Sequence, residues 1–141
     1  MTLICLKPNQ SIIPRKYERV IQIKLTINFE LPALNEYISA MNSSRYAGNK
    51  MKQETQEAIG WCIKSQNIQL IKKPVRIRFL WVSKNRKKDL DNVAFAKKFI
   101  LDALVQGGVL NNDNRKNVCG FIDNFAVDKE KPRVEVEIVE A

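Results

Sequence analysis

The chain has 141 residues, 45% hydrophobic and 28% charged, a balance that folds as one globular domain and buries about 68–70% of its unfolded surface without disulfides or a structural metal. Its 24 Lys and Arg outnumber 15 Asp and Glu for a net charge of +9, which favours a polyanionic partner, nucleic acid before membrane. There is no histidine, which excludes Ser-His-Asp and Cys-His catalysis, HExxH zinc sites and every nuclease that uses a histidine base.

The opening MTLICLKPNQ lacks the basic n-region and the apolar length of a signal peptide. No apolar run approaches the roughly 18 residues of a membrane span. The three cysteines, Cys5, Cys62 and Cys119, form no CxxC pair, so neither a zinc ribbon nor a redox dithiol is available and a cytoplasmic protein with reduced thiols is expected. Residues 1–16, punctuated by Pro8 and Pro14, read as a loosely attached arm on a single domain spanning 1–141. Residues 18–31 follow as a strand, because Ile23, Leu25, Ile27 and Phe29 keep period two until Pro32.

The segment from Ala33 to about Asn49, rich in Asn, Ser and Gly, reads as a long functional loop carrying Tyr37, Arg45 and Tyr46, which could stack on or pair with nucleic acid. Residues 50–66 read as a helix, with Met51, Thr55, Ala58, Ile59, Cys62 and Ile63 on one stripe. Gly60 inside it costs about 1 kcal/mol against Ala, and a close packing partner is the expected reason. Pro74 opens a second strand, with Val75, Ile77, Phe79 and Trp81 facing one way and Arg76 and Arg78 the other. After the loop SKNRKKD, residues 91–106 read as a second helix stopped by Gly107-Gly108. Phe121, Phe125 and Val127 mark a third strand, and Val134, Val136 and Ile138 a fourth that pairs with it as a hairpin. The expected fold is α+β, a two-layer domain with two helices on a mixed sheet in the order β-α-β-α-β-β. Trp61 and Trp81 are read as core residues, or else as anchors of an interface.

The positive charge is concentrated mid-chain, with ten basic residues against Asp89 and Asp91 between Lys72 and Lys98. A basic run alone is an ordinary solvated face, but that reading leaves the two embedded acids unexplained. Carboxylates at i and i+2 of an extended segment project to one side and can share a hard cation. Mg²⁺ takes one or two carboxylates, keeps several waters and accepts phosphate oxygens, and such an ion activates water and clamps a phosphodiester. The plainer alternative is that Asp89 or Asp91 caps the following helix. On a continuous helix Asp91, Lys98 and Asp102 would lie within roughly 40° of one another, and Lys98 with Asp102 is also an ordinary i, i+4 ion pair. Asp113 in the turn NNDN is either a turn former or an acid that the next strand returns to the Asp pair. Lys84, Arg86, Lys87 and Lys88 offer phosphate contacts beside the acids, with Arg45, Lys50 and Lys97 as further DNA-facing cations.

Lys88-Asp-Leu-Asp-Asn92, then Lys-Lys-Phe-Ile-Leu-Asp-Ala-Leu at 97–104, then Gly-Val-Leu-Asn-Asn-Asp at 108–113 together resemble the RusA family of Holliday-junction resolvases. The resemblance covers about residues 22–138, and the Leu34-Asn-Glu-Tyr-Ile38 and Arg45-Tyr-Ala-Gly48 segments are similar to the form found in Gram-positive prophages. It implies a small, homodimeric, Mg²⁺-dependent endodeoxyribonuclease, with Mn²⁺ as a substitute ion, that resolves four-way junctions by paired nicks in DNA recombination or repair. It also implies metal ligation by Asp89, Asp91 and Asp113. Lys98 becomes the catalytic lysine when counted back from Asp102; counted forward from Asp91 the lysine falls late, which leaves Lys97 as the alternative. Asn112 stands where members often carry a second acid. The other readings are a nuclease for other branched or flap DNA and a non-catalytic nucleic-acid-binding domain.

Overall fold

The structure is a computed structural model that describes residues 22–141. The expected arm at 1–16, Cys5 and the start of the first strand lie outside the described residues. The elements in order are β1 (Gln22–Ile27), α1 (Leu34–Ser43), α2 (Arg45–Ser65), β2 (Val75–Ser83), α3 (Leu90–Ala94), α4 (Lys97–Gln106), β3 (Val118–Val127) and β4 (Arg133–Glu140). The α+β class and the mixed sheet agree with expectation. Period two places Leu25 and Ile27, then Val75, Ile77, Phe79 and Trp81, then Val134, Val136 and Ile138 on one buried sheet face. Ile59 and Ile63 of α2 and Phe99, Ile100, Ala103 and Leu104 of α4 complete that core.

The four strands run β1-β4-β2-β3. Here the expected hairpin of the last two strands is corrected. β4 lies antiparallel to both β1 and β2, while β3 lies parallel to β2 on its far side. Alternation along β3 and β4 marks a buried face but not a neighbour, and tertiary packing sets β2 between the two strands that the sequence pairs with each other.

The long loop at 33–49 is the second correction, for the segment forms α1 and the first turn of α2. Leu34, Tyr37, Ile38 and Met41 are spaced i, i+3, i+4, i+7, a helical stripe hidden among Asn and Ser. Ser44 ends α1 and starts α2, its Oγ accepting the Ala47 N–H at 2.9 Å, as an N-cap serine does. The two helices form a hairpin whose closest approach is at buried Gly48, where a Cβ would lie 1.9 Å from Met41 Sδ.

Gly60 has the opposite environment. Nothing lies within 4 Å of the Cβ it lacks, so no packing partner accounts for it. Gly60→Ala should therefore stabilise the protein by about 0.5–1 kcal/mol. Urea unfolding followed by circular dichroism measures this, and a lowered midpoint would contradict it.

The expected helix at 91–106 is broken into α3 and α4. Phe95 and Ala96 keep right-handed helical dihedrals, but Ala96 N–H bonds Val93 O at 3.3 Å and Lys98 N–H bonds Phe95 O at 3.2 Å. These i to i−3 bonds tighten the chain to three residues per turn, so the angular relation of Asp91 to Lys98 on one straight helix does not carry across. α4 ends at the diglycine as expected: Gly108 takes φ 74° and Val109 N–H returns to Leu104 O at 2.9 Å. Trp81 is buried, whereas Trp61 is 64% exposed, with Lys64 Nζ 5.6 Å from its ring. That corrects Trp61 as a core residue.

Candidate active site

The basic loop hangs from the C-terminal end of β2, and parallel pairing sets the end of β3 beside it, Ser83 opposite Val127. Asp89 occupies the N-cap position of α3, in extended conformation, yet its side chain makes no capping bond. Its main-chain carbonyl accepts the Val93 N–H at 3.1 Å, so the helix is capped without the carboxylate. Asp91 Oδ1 accepts the N–H of Asn92 at 2.9 Å. Both residues are exposed, and the local fold leaves acceptor capacity on each carboxylate.

Asn92 does something the sequence does not announce. Its Oδ1 accepts the Asn35 N–H at 2.9 Å, which ties the start of α1 to α3. One residue on, Glu36 Oε1 receives Lys88 Nζ at 2.6 Å and the Ala33 N–H at 3.3 Å. The Lys88 ammonium holds the Glu36 carboxyl below its ordinary range. Tyr37 stacks on Phe95 at 5.5 Å and meets the edge of Phe99 at 5.6 Å; it is half-buried packing, not the nucleic-acid platform expected for it. Glu36, Tyr37 and Asn92 thus fix the loop that carries the two aspartates, and the helical spacing at 34–41 is the signal that places Glu36 and Tyr37 on a helix.

The adjacent lysines point apart. Lys98 Nζ lies 3.0 Å from Asp102 Oδ1 and 3.6 Å from Asp113 Oδ2, while Lys97 Nζ bonds Asp123 Oδ2 at 2.7 Å. The hydrogen bond to Asp102 raises the Lys98 pKa, which favours its ammonium form. Asp102 also accepts from buried Gln56 Nε2 at 3.2 Å and lies 4.0 Å from Lys52, which links α4 to α2. Asn112 Oδ1 accepts the N–H groups of Asp113 and Asn114 at 2.7 and 3.2 Å, so its amide shapes the turn that presents Asp113. Among the described residues, no three His, Cys, Asp or Glu stand as a group that could hold a metal ion. Asp113 stands with Lys98 and Asp102.

The other expected DNA-facing cations are all exposed. Arg45 opens α2, and Lys50 lies 3.8 Å from Glu54. Lys84 and Lys87 use their main-chain N–H groups to bond Glu30 and Asn85. No side-chain hydrogen bond or ion pair to a described residue engages Arg45, Lys84, Arg86 or Lys87, whereas Lys88 and Lys97 are each spent on a carboxylate. No helix among the described residues is long and apolar enough to cross a membrane.

The sequence matches the family described as endodeoxyribonuclease RusA over residues 13–139. Comparison with curated proteins found no match.

Proposed function

The chain belongs to the RusA endodeoxyribonuclease family, and from that premise we propose that it is a Mg²⁺-dependent, cytoplasmic Holliday-junction resolvase that nicks two strands of a four-way DNA junction as a homodimer. The observation that carries the reading is the two exposed acids, Asp89 and Asp91, beside cations that pair with no described carboxylate, with the Asp89 side chain making no capping bond at the start of α3. Oxygen donors of this kind, one or two carboxylates with room for water and phosphate, suit Mg²⁺ or Mn²⁺. Asp89 and Asp91 would hold the ion, and Asp113 is proposed as the third ligand. When bound, the ion would supply an activated water at neutral pH.

The protein's own groups bind, orient and neutralise. Lys84, Arg86 and Lys87 would grip phosphates on either side of the scissile bond. Lys98, held as a cation by Asp102, would stabilise charge developing on the phosphoryl oxygens. Asn92 and the Lys88–Glu36 pair would keep the aspartate loop in place between turnovers.

The test is a synthetic four-way junction, with and without Mg²⁺, read on a denaturing gel. Symmetric paired nicks that need Mg²⁺ are expected. Cutting of flaps alone would favour a nuclease for other branched DNA, and binding without cutting would favour a non-catalytic DNA-binding domain. Two strands must be cut across a symmetric substrate, and a C2 dimer supplies two sites at fixed separation. Light scattering at micromolar concentration should therefore report twice the chain mass of 16.3 kDa; a monomeric mass both free and on the junction would oppose the resolvase reading.

The cations separate by role. Replacing Arg86 and Lys87 with Ala should flatten the dependence of junction affinity on salt by roughly 0.9 in log–log slope for each phosphate no longer neutralised. Lys88→Ala should change that slope less, since its ammonium already faces Glu36. Fluorescence anisotropy across a KCl series reads both, and an unchanged slope in the double variant would make the run a solvated face.

A further inference from the structure

Lys97 and Lys98 are neighbours in sequence, yet they do different things. Consecutive residues on a helix point about 100° apart, and here that turn sends one lysine to the sheet and the other toward Asp102 and Asp113. The Lys97 side chain is 20% exposed and that of Lys98 61%. Lys97 Nζ donates to Asp123 Oδ2 at 2.7 Å, and Asp123 Oδ1 accepts Trp81 Nε1 at 2.9 Å. The same ammonium lies 4.5 Å from the Phe121 ring and 5.3 Å from the Phe79 ring. Both Asp123 oxygens are therefore occupied, and the lysine is enclosed by two rings and a carboxylate.

The rest of α4 meets the sheet through Phe99, Ile100, Ala103 and Leu104. Apolar contact is non-directional and by itself lets a helix rotate or slide. Among the described residues, the Lys97–Asp123 pair is the one polar link from α4 to the sheet; the other polar contacts of its side chains stay within α4 or go to α2 or to Asp113. The link lies in the first turn of the helix, one residue from Lys98.

We propose that Lys97, Asp123 and Trp81 form a positioning clamp that sets the rotation of α4 on the sheet and so holds the Lys98 ammonium toward Asp113. Lys97 is a positioning residue and does not touch DNA. The inference rests on the reading of Lys98 as the charge stabiliser of a nuclease site.

Three variants test it: Asp123→Asn, which keeps an acceptor for Trp81, Lys97→Met, which keeps the apolar stem over the two rings, and Lys97→Arg, whose guanidinium can still reach the carboxylate. Single-turnover cleavage of a four-way junction is measured with junction affinity and the thermal midpoint. Asp123→Asn and Lys97→Met should each slow cleavage about tenfold with affinity unchanged within twofold. The double variant should be no slower than either single one, because the pair acts as a unit, and Lys97→Arg should recover most of the rate. Unchanged cleavage in both single variants would overturn the clamp, as would a loss of affinity equal to the loss of rate, which would make Lys97 a DNA contact. A second readout needs no activity: in ¹⁵N-lysine spectra of the full chain without DNA, the Lys98 ammonium signal, identified with Lys98→Arg, should move in Asp123→Asn. If that signal moves and the wild type fails to cut junctions, the nuclease reading falls and the clamp stands. If the wild type cuts and the signal stays, the clamp falls alone.

Discussion

Asp91→Asn should abolish junction cleavage while leaving junction binding intact. Loss of groups that merely support a metal ligand costs 10–100-fold, so loss of a direct ligand should slow cleavage at least about a hundredfold. The fold should not change, because Asp91 Oδ1 accepts the Asn92 N–H and an asparagine oxygen accepts that bond equally well. Affinity should hold or rise slightly, since a negative charge is removed from a basic surface. Paired gel assays on the wild type and the variant, with binding followed by anisotropy, separate the two effects. Cleavage at the wild-type rate would remove Asp91 from the metal site.

The largest effect on stability should come from Phe79→Ala. Phe79 is 1% exposed at the centre of the sheet, its ring 5.3 Å from that of Trp81 and 5.9 Å from that of Phe121. Truncating a buried phenylalanine costs about 3–5 kcal/mol, a large part of the 5–15 kcal/mol that holds a typical domain folded. The thermal midpoint should fall by about 10–20 °C. Calorimetry measures it, and a fall of a degree or two would mean that the core closes over the gap.

Charge was more legible in the sequence than the architecture that presents it. Two acids within a basic run stand out because charge is counted without knowing the fold, and counting back from Asp102 reaches Lys98, which the structure sets beside both Asp102 and Asp113. The different surroundings of Lys97 and Lys98 were not legible, because Lys97 pairs with Asp123, 26 residues away. The Asn35–Asn92 bond spans 57 residues, and no local pattern encodes such a contact. Asn and Ser at 35, 42, 43 and 44 disguised α1, since these residues disfavour helix interiors while the apolar stripe between them still fits one face. The strand order was hidden for another reason. Alternation in β4 says which face is buried but not which strands flank it, and tertiary packing decides that.

The interior position of β4 bears on how the protein is made. Among the described residues β1 has β4 as its sheet neighbour, Gln22 opposite Val139, so a nascent chain that has emerged only as far as Lys131 lacks the strand with which β1 pairs. Until β4 slots in, β2 is paired with β3 alone among the described strands. Contacts between strands so distant in sequence form slowly. Folding of the sheet must therefore follow translation of this region rather than accompany it, and premature termination before Arg133 should yield a chain for proteolysis rather than a weakened enzyme.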